Sequence, residues 1–399
     1  MTSPAPTRLV AVRAARLFDG ASGTLIADPC VVLDGTKIVE ITSGTAAPEG
    51  ATVVEFAGAT LLPGLIDTHV HLCFDASDDV VARLAERDDE AVLTAMTAAA
   101  RCAVRAGVTT VRDLGDRDYL SLQLRSRAAT DPTLPTIVAA GPPLTTPNGH
   151  CHFLGGAASG LEGVRAAVRQ RADRGVDVIK VMASGGQLTP GTHSERPQFS
   201  PADLRAVVEE AHRLGLPVTA HAHGTQPVLD ALAAGVDGLE HASFLTTDGV
   251  DRPSDELLRE LATLRVQLGL TLGIANVPGV APPPDIVARI PALMENVRRI
   301  VASGALVVIG TDAGIAPIKP HDVLPLGVAQ LADLGPSALA ALTAATSIAA
   351  EVCRLGDRKG RLAPGYDADL VAVDGNPLED LAALLRVRAV FVRGTRLAD

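Results

Sequence analysis

The sequence predicts an α/β fold: a (β/α)8 TIM-like barrel carrying a small β-sandwich built from both termini. Three observations lead there. Eight apolar, β-rich runs alternate with Ala-rich helical stretches through the middle of the 399-residue chain, a pattern of parallel strands with crossover helices. Both ends read instead as short alternating strands divided by Gly and Asp. Polar groups within the apolar runs gather at the run ends, where a barrel places its chemistry. A doubly wound sheet is the rival fold, but no Gly-rich phosphate loop follows the first strand.

Residues 1–60 form the N-terminal part of the sandwich. "RLVAVRAARLFDG", "CVVLDGTKIVEI" and "ATVVEFAG" alternate with period two, and Asp34-Gly35 and Pro48-Glu49-Gly50 mark turns. Residues 61–355 form the barrel. Its strands are expected at 61–67, 108–113, 136–141, 176–182, 216–221, 237–241, 266–272 and 305–312. Helices are expected at 79–106, 161–174, 201–214 and 286–303. Ser200-Pro201 opens one of them, and Gly107, Gly175, Gly215 and Gly304 close others. Residues 356–399 complete the sandwich with "GRLAPGYDADLVAVDG" and "VRAVFVRGTRLAD".

Hydrophobic residues make up 47% of the chain, enough for a large core, but aromatics only 2%, so Ala, Val and Leu must fill it. A formal net charge of −11 disfavours nucleic acid and anionic membrane as partners. A small-molecule substrate is the expected partner. No run of 18 apolar residues occurs, and the N-terminal apolar residues alternate with Arg, which reads as a strand and not a signal peptide. The five cysteines are scattered with no CxxC pair, so neither a disulfide framework nor a Cys-based zinc site is expected, and a reducing cytoplasm fits.

The stretch "LLPGLIDTHVHLCFD" ends an apolar strand in His69 and His71. Residues two apart on a strand share a face, so both imidazoles face one spot at the end of strand one. Lys180 lies within "VIKVMASGG", His221 and His223 end strand five, His241 ends strand six, and Asp312 ends strand eight. A barrel brings these ends to one rim. Imidazoles with one Asp suit a borderline metal such as zinc. A lone core histidine is more often a hydrogen-bonded structural residue; here the recurrence at strand ends carries the weight. His212 falls within a helix and reads as a surface or packing residue. His193 and His321 fall in loops, where a solvated role is expected.

Lys180 is flanked by Val178, Ile179, Val181 and Met182. Burying it as a cation is costly, and desolvation lowers its pKa. The neutral amine can add carbon dioxide to give a carbamate, an anion able to bridge two metal ions. Pairing with a rim carboxylate is the structural alternative.

These residues sit in stretches that resemble the amidohydrolase superfamily, and within it the prolidase-like and imidazolonepropionase-like group. The matching stretches are "LLPGLIDTHVHL", "GVTTVRDLG", "PNGHCHFLGG", "DVIKVMASGG", "FSPADLRAVVEEAHRLGLPVTAHAHG", "AGVDGLEH", "GTDAG" and "GRLAPGYDADLVAVDGNPLEDL". The resemblance implies a barrel holding two divalent ions, usually zinc, with a carboxylated lysine as bridge. His69, His71 and Asp312 would bind the more buried ion, His221 and His241 the more exposed one, and Lys180 would bridge them. His223 resembles a residue touching the substrate carbonyl, and His150 a substrate contact after strand three. His152 would also face substrate, at a position where a bulky aromatic is expected. Ala242 stands where Gly is expected, and "GIAPIKPHDV" also departs from the family pattern. A homo-oligomer is the expected assembly.

The chemistry implied is hydrolysis of an amide or peptide bond, of the Xaa-Pro dipeptide or N-acyl amino acid type. Asp312 would take the proton of a metal-activated water and pass it to the leaving nitrogen, and His223 would stabilise the oxyanion. The alternatives are hydrolysis of a cyclic amide or lactone, and a non-catalytic scaffold, against which the complete ligand set argues.

Overall fold

The computed structural model describes residues 9–280 and 284–397. The N-terminal strands are β1 (Val10–Leu17), β2 (Ile26–Ala27), β3 (Pro29–Asp34), β4 (Lys37–Ser43) and β5 (Thr52–Pro63). Eight strands then follow through the middle: β6 (Leu65–Val70), β7 (Val108–Asp113), β8 (Thr136–Ala139), β9 (Ile179–Met182), β10 (Val218–Gly224), β11 (Gly238–Leu245), β12 (Gln267–Leu270) and β13 (Leu306–Ile309). The chain ends in β14 (Leu370–Asp374), β15 (Val387–Val392) and β16 (Thr395–Arg396).

Both termini share one sheet, as their common alternation suggests. Its order is β16-β15-β14-β5-β1-β3-β4, with β2 on β1. The join is antiparallel, with Leu62 opposite Val371. Val12, Leu33, Phe56, Leu370 and Phe391 pack in one cluster on this sheet.

The middle strands form a TIM-barrel-like arrangement of two parallel sheets, β6-β7-β8 and β13-β12-β11-β10-β9. Isolated parallel bridges, Leu144 to Val181 and Val70 to Ala313, mark the two seams between them. Among the described residues no continuous ladder closes the ring. At one seam the Asp312 amide donates to the His69 carbonyl at 2.7 Å and the His71 amide to the Ala313 carbonyl at 2.9 Å. The backbone itself therefore brings the ends of β6 and β13 together.

Two expected elements divide. The strand expected over 61–67 is the end of β5 and the start of β6, because the chain leaves the terminal sheet at Gly64. A Cβ there would lie 2.0 Å from Thr109 Oγ1, so only glycine lets β6 run this close to β7. The helix expected over 79–106 is two helices, Val80–Ala85 and Asp89–Arg105. Asp88 restarts the helix: its carboxylate accepts from the Ala91 amide, and Asp89 and Glu90 follow in the first turn, where negative charge suits the helix dipole. Elsewhere the caps behave as expected. Ser200 accepts from the Asp203 amide with Pro201 in the first turn, and the helix Leu161–Arg174 stops at Gly175 in the left-handed region. All five cysteines are unbridged. Among the described residues no helix is long and apolar enough to cross a membrane.

Candidate metal centre

His69, near the end of β6, and His71, just past it, are both buried. Each is held by its Nδ1. The His69 Nδ1–H donates to Glu240 Oε2 at 2.9 Å, and the His71 Nδ1–H donates to the Gly115 carbonyl at 3.0 Å. That fixes the tautomer of each neutral ring, with the hydrogen on Nδ1 and the lone pair on Nε2. The two Nε2 atoms lie 3.3 Å apart, and Asp312 Oδ1 is 3.4 Å from that of His69 and 3.3 Å from that of His71. With both rings neutral, two lone pairs and a carboxylate oxygen converge with no hydrogen between them. A cation is what such a donor set fits.

A second trio faces it across Lys180. His221, His223 and His241 offer ligand atoms within 4.8 Å of one another. The His221 Nε2–H donates to the Gly185 carbonyl at 3.0 Å, His223 Nδ1 pairs with Ser243 Oγ at 2.7 Å, and His241 Nδ1 pairs with Thr271 Oγ1 at 3.3 Å. The His223 and His241 rings stack with centroids 4.3 Å apart, and His241 lies 5.4 Å from His69. Lys180 Nζ reaches His69 Nε2 at 3.3 Å. The geometry therefore groups His223 with His221 and His241 and does not single it out for substrate.

Burial sets the protonation states. It pushes His69 down to about 4, aided by the Lys180 charge, and His223 down to about 4. His221 and His241 are pushed far down by burial and by neighbouring histidines. All four are neutral at pH 7, the form that binds metal. Burial also lowers Lys180 to about 8. His71 is the exception: burial lowers it, but the hydrogen bond and charge of Asp312 outweigh that and raise it. Asp312 is held far below the usual carboxylate range by His69 and His71, against a burial effect of opposite sign. His241 and Asp312 both have left-handed backbones, with φ of +73° and +59°. Such conformations are uncommon for these residue types and collect at functional sites.

His150 joins this group: it is buried, with its ring 4.8 Å from that of His221. His152 does not. Its ring is exposed and its Nδ1–H donates to the Gly149 carbonyl at 3.0 Å. The neighbouring Phe153 turns inward instead, 6.4 Å from Phe74, whose ring is 5.7 Å from His71. His321 corrects another expectation. It is buried and not solvated, and its Nε2–H donates to the Phe74 carbonyl at 2.9 Å. The loop carrying it folds back over the end of β6, so its sequence context misled. His193 and His212 are in the expected settings; His212 pairs with Asp237 at 2.8 Å on the surface.

Sequence reasoning missed Glu240 and Arg112. Glu240 is fully buried. Besides His69, it accepts from Arg112 at 3.0 Å, Thr219 Oγ1 at 2.7 Å and Gln267 Nε2 at 3.2 Å. Arg112 also donates to the Thr68 carbonyl at 2.6 Å, tying β7 to β6. Period-two alternation lets only one of Glu240 and His241 face inward. The left-handed turn at His241 and Ala242 lets both reach His69, which no alternation count reveals. Gly269 is the available signal: a Cβ there would fall 2.1 Å from Glu240 Oε2. Glu240→Gln should therefore present an amide N–H to His69 or leave Arg112 uncompensated. Either way, metal affinity is expected to fall about 10–100-fold, measured by competition with a chromophoric chelator. Unchanged affinity would remove Glu240 from the site.

A model described as "Amidohydrolase family" matches residues 60–397. Ochratoxinase of Aspergillus niger is 34% identical over 241 residues, covering 58% of this chain and 48% of that protein. The chain thus spans about half the length of that curated relative. Imidazolonepropionase of Deinococcus deserti is 26% identical over 100% of this chain and 97% of its own. A crystal structure of a Xaa-Pro dipeptidase with methionine bound in its active site superposes with a TM-score of 0.87 at 27% identity, covering 98% of this chain and 100% of that one.

Proposed function

The chain belongs to the amidohydrolase family, and from that premise we propose that it is a metal-dependent hydrolase of carbon–nitrogen bonds, cleaving an amide or peptide bond of the Xaa-Pro dipeptide or N-acyl amino acid type. The observation that carries this reading is the convergence of the His69 and His71 Nε2 atoms and Asp312 Oδ1 within 3.4 Å. Two divalent ions are proposed, zinc the expected metal. His69, His71 and Asp312 would hold one, and His221 and His241 the other, with His223 close enough to be either ligand or substrate contact. Ions held there supply Lewis acidity, making a water acidic and a carbonyl electrophilic.

The protein's own groups do the rest. Asp312, at the seam, accepts the proton of the attacking water and returns it to the leaving nitrogen. His223 donates a hydrogen bond to the carbonyl oxygen as it gains charge. His150, in the same buried cluster, lines the substrate side. The neutral fraction of the Lys180 amine near pH 8 favours its conversion to a carbamate, the proposed bridge. A closed barrel capped by a two-layered sandwich of 1–60 and 356–399, a homo-oligomer and a cytoplasmic setting complete the proposal.

A panel of Xaa-Pro dipeptides, N-acyl amino acids, cyclic amides and lactones tests the class. Turnover of dipeptides or N-acyl amino acids is expected, abolished by a chelator and restored by zinc. Turnover confined to cyclic substrates would favour the second reading, which the full-length similarity to an imidazolonepropionase supports. Lys180→Ala should lose activity and regain part of it when a short-chain carboxylate and metal are added together. Electron density ending at an unmodified amine, with both ions bound, would remove the carbamate.

A further inference from the structure

The N-terminal ends of the barrel strands, opposite the histidines, enclose a cleft of about 550 Å³. That lies within the 300–1,000 Å³ usual for small-molecule sites. Its walls are apolar, formed by Val178, Val218, Val236, Val266 and Leu306 at the strand starts and by Ile348 of the helix Ser347–Val352. Its polar floor is Arg112, Thr219 and Gln267, all buried. At its exposed mouth stand Arg265 and Arg354 against Asp237 and Glu351.

The chemistry of that lining selects a ligand. A guanidinium carries five N–H donors, and Arg112 directs hydrogen bonds to three acceptors: the Thr68 carbonyl, Gln267 Oε1 and Glu240 Oε1. Two donors remain on a buried cation that borders the cleft. Leaving such groups unmatched is costly, and a carboxylate fits a guanidinium edge. Glu240 already offsets the Arg112 charge, which favours a monoanion over a polyanion. At the mouth, Asp237 Oδ2 accepts from the Val218 amide at 2.7 Å and the His212 ring at 2.8 Å, and Arg354 donates to the Gly215 carbonyl at 2.6 Å, so two cations stand against two carboxylates and Arg112 on the floor is the anion contact. We infer that this cleft is a second binding site, separate from the histidine cluster, for a small monocarboxylate with an apolar body, its carboxylate on Arg112 and its body against the valines. The inference does not depend on the hydrolase reading.

Crystals grown with 4-bromophenylacetate test it, because the anomalous signal of bromine locates the molecule. Bromine is expected among Val178, Val236 and Leu306, with the carboxylate within hydrogen-bond distance of Arg112. Bromine found only among the histidines, or nowhere, would overturn the site. In solution, metal-stripped protein should bind 4-bromophenylacetate saturably, and the neutral 4-bromophenylacetamide about tenfold more weakly or worse. Val236→Trp, which fills the cleft, should abolish binding. Should that variant not fold, Arg265→Glu on the exposed rim should weaken binding of the acid while leaving the amide unchanged. Equal affinity for acid and amide would overturn the role of Arg112.

Discussion

His69→Ala should give a folded protein that has lost most of its metal and nearly all of its turnover. The fold is expected to survive because the partner most exposed to the loss is Glu240, and that carboxylate keeps Arg112, Thr219 and Gln267. It is not left as an unpaired buried charge, the outcome that costs most. The metal is expected to go because His69 stands at the junction of the two clusters. Its Nε2 is within 3.4 Å of His71, Asp312 and Lys180, and its ring is 5.4 Å from that of His241. Removing a direct ligand should weaken binding by more than the roughly 10–100-fold that follows loss of a supporting group. Circular dichroism and elemental analysis of the purified variant check the two halves separately. His71→Ala should behave alike. Full metal content with near-normal turnover in either variant would sink the assignment.

The fold and site were legible to different depths. Strand-end polar residues could be read because the barrel's parallel strands are buried runs, in which His69, His71, Lys180, His221 and Asp312 interrupt an apolar texture. Glycine stops and the Ser200 cap are local signals and needed no tertiary knowledge. The division at Gly64 was not legible, because Leu61, Leu62 and Leu65 are equally apolar and only pairing partners distinguish them: Leu17 and Val371 for the first two, Val108 for the third. The inward turn of His321 depends on a loop packing against the Phe74 carbonyl. Glu240 was hidden by backbone conformation, since the residue beside it leaves the strand geometry on which alternation rests. Two of these misses turn on a long-range contact and the third on a left-handed backbone turn, neither of which the residue pattern shows.

Asp312→Asn is the sharpest test of the chemistry. The substitution keeps shape and backbone: Asp312 has φ of +59°, a region Asn tolerates well, and its amide still donates to the His69 carbonyl. What it removes is charge and the ability to hold a proton. Turnover should fall by roughly 10²–10⁴ if Asp312 is the base, and further if metal is lost with it. Metal-free protein supplies a second readout. In the wild type, burial works to lower His71 and the Asp312 bond and charge more than reverse it. A raised folded-state value means that protonation of His71 adds stability at low pH, and that this contribution disappears as pH climbs through the folded value. With Asn at 312 both Asp312 contributions go, leaving burial and the Lys180 charge against the smaller effect of Asp113, so His71 should titrate lower, by nuclear magnetic resonance of its ring, and its stabilising window should shrink from the alkaline side. A capping role alone for Asp312 would leave the rate near that of the wild type while His71 still shifted, because the lost charge lies 3.3 Å from His71 Nε2 whatever its role. Wild-type turnover across neutral pH in the Asn variant would show that another group moves the proton.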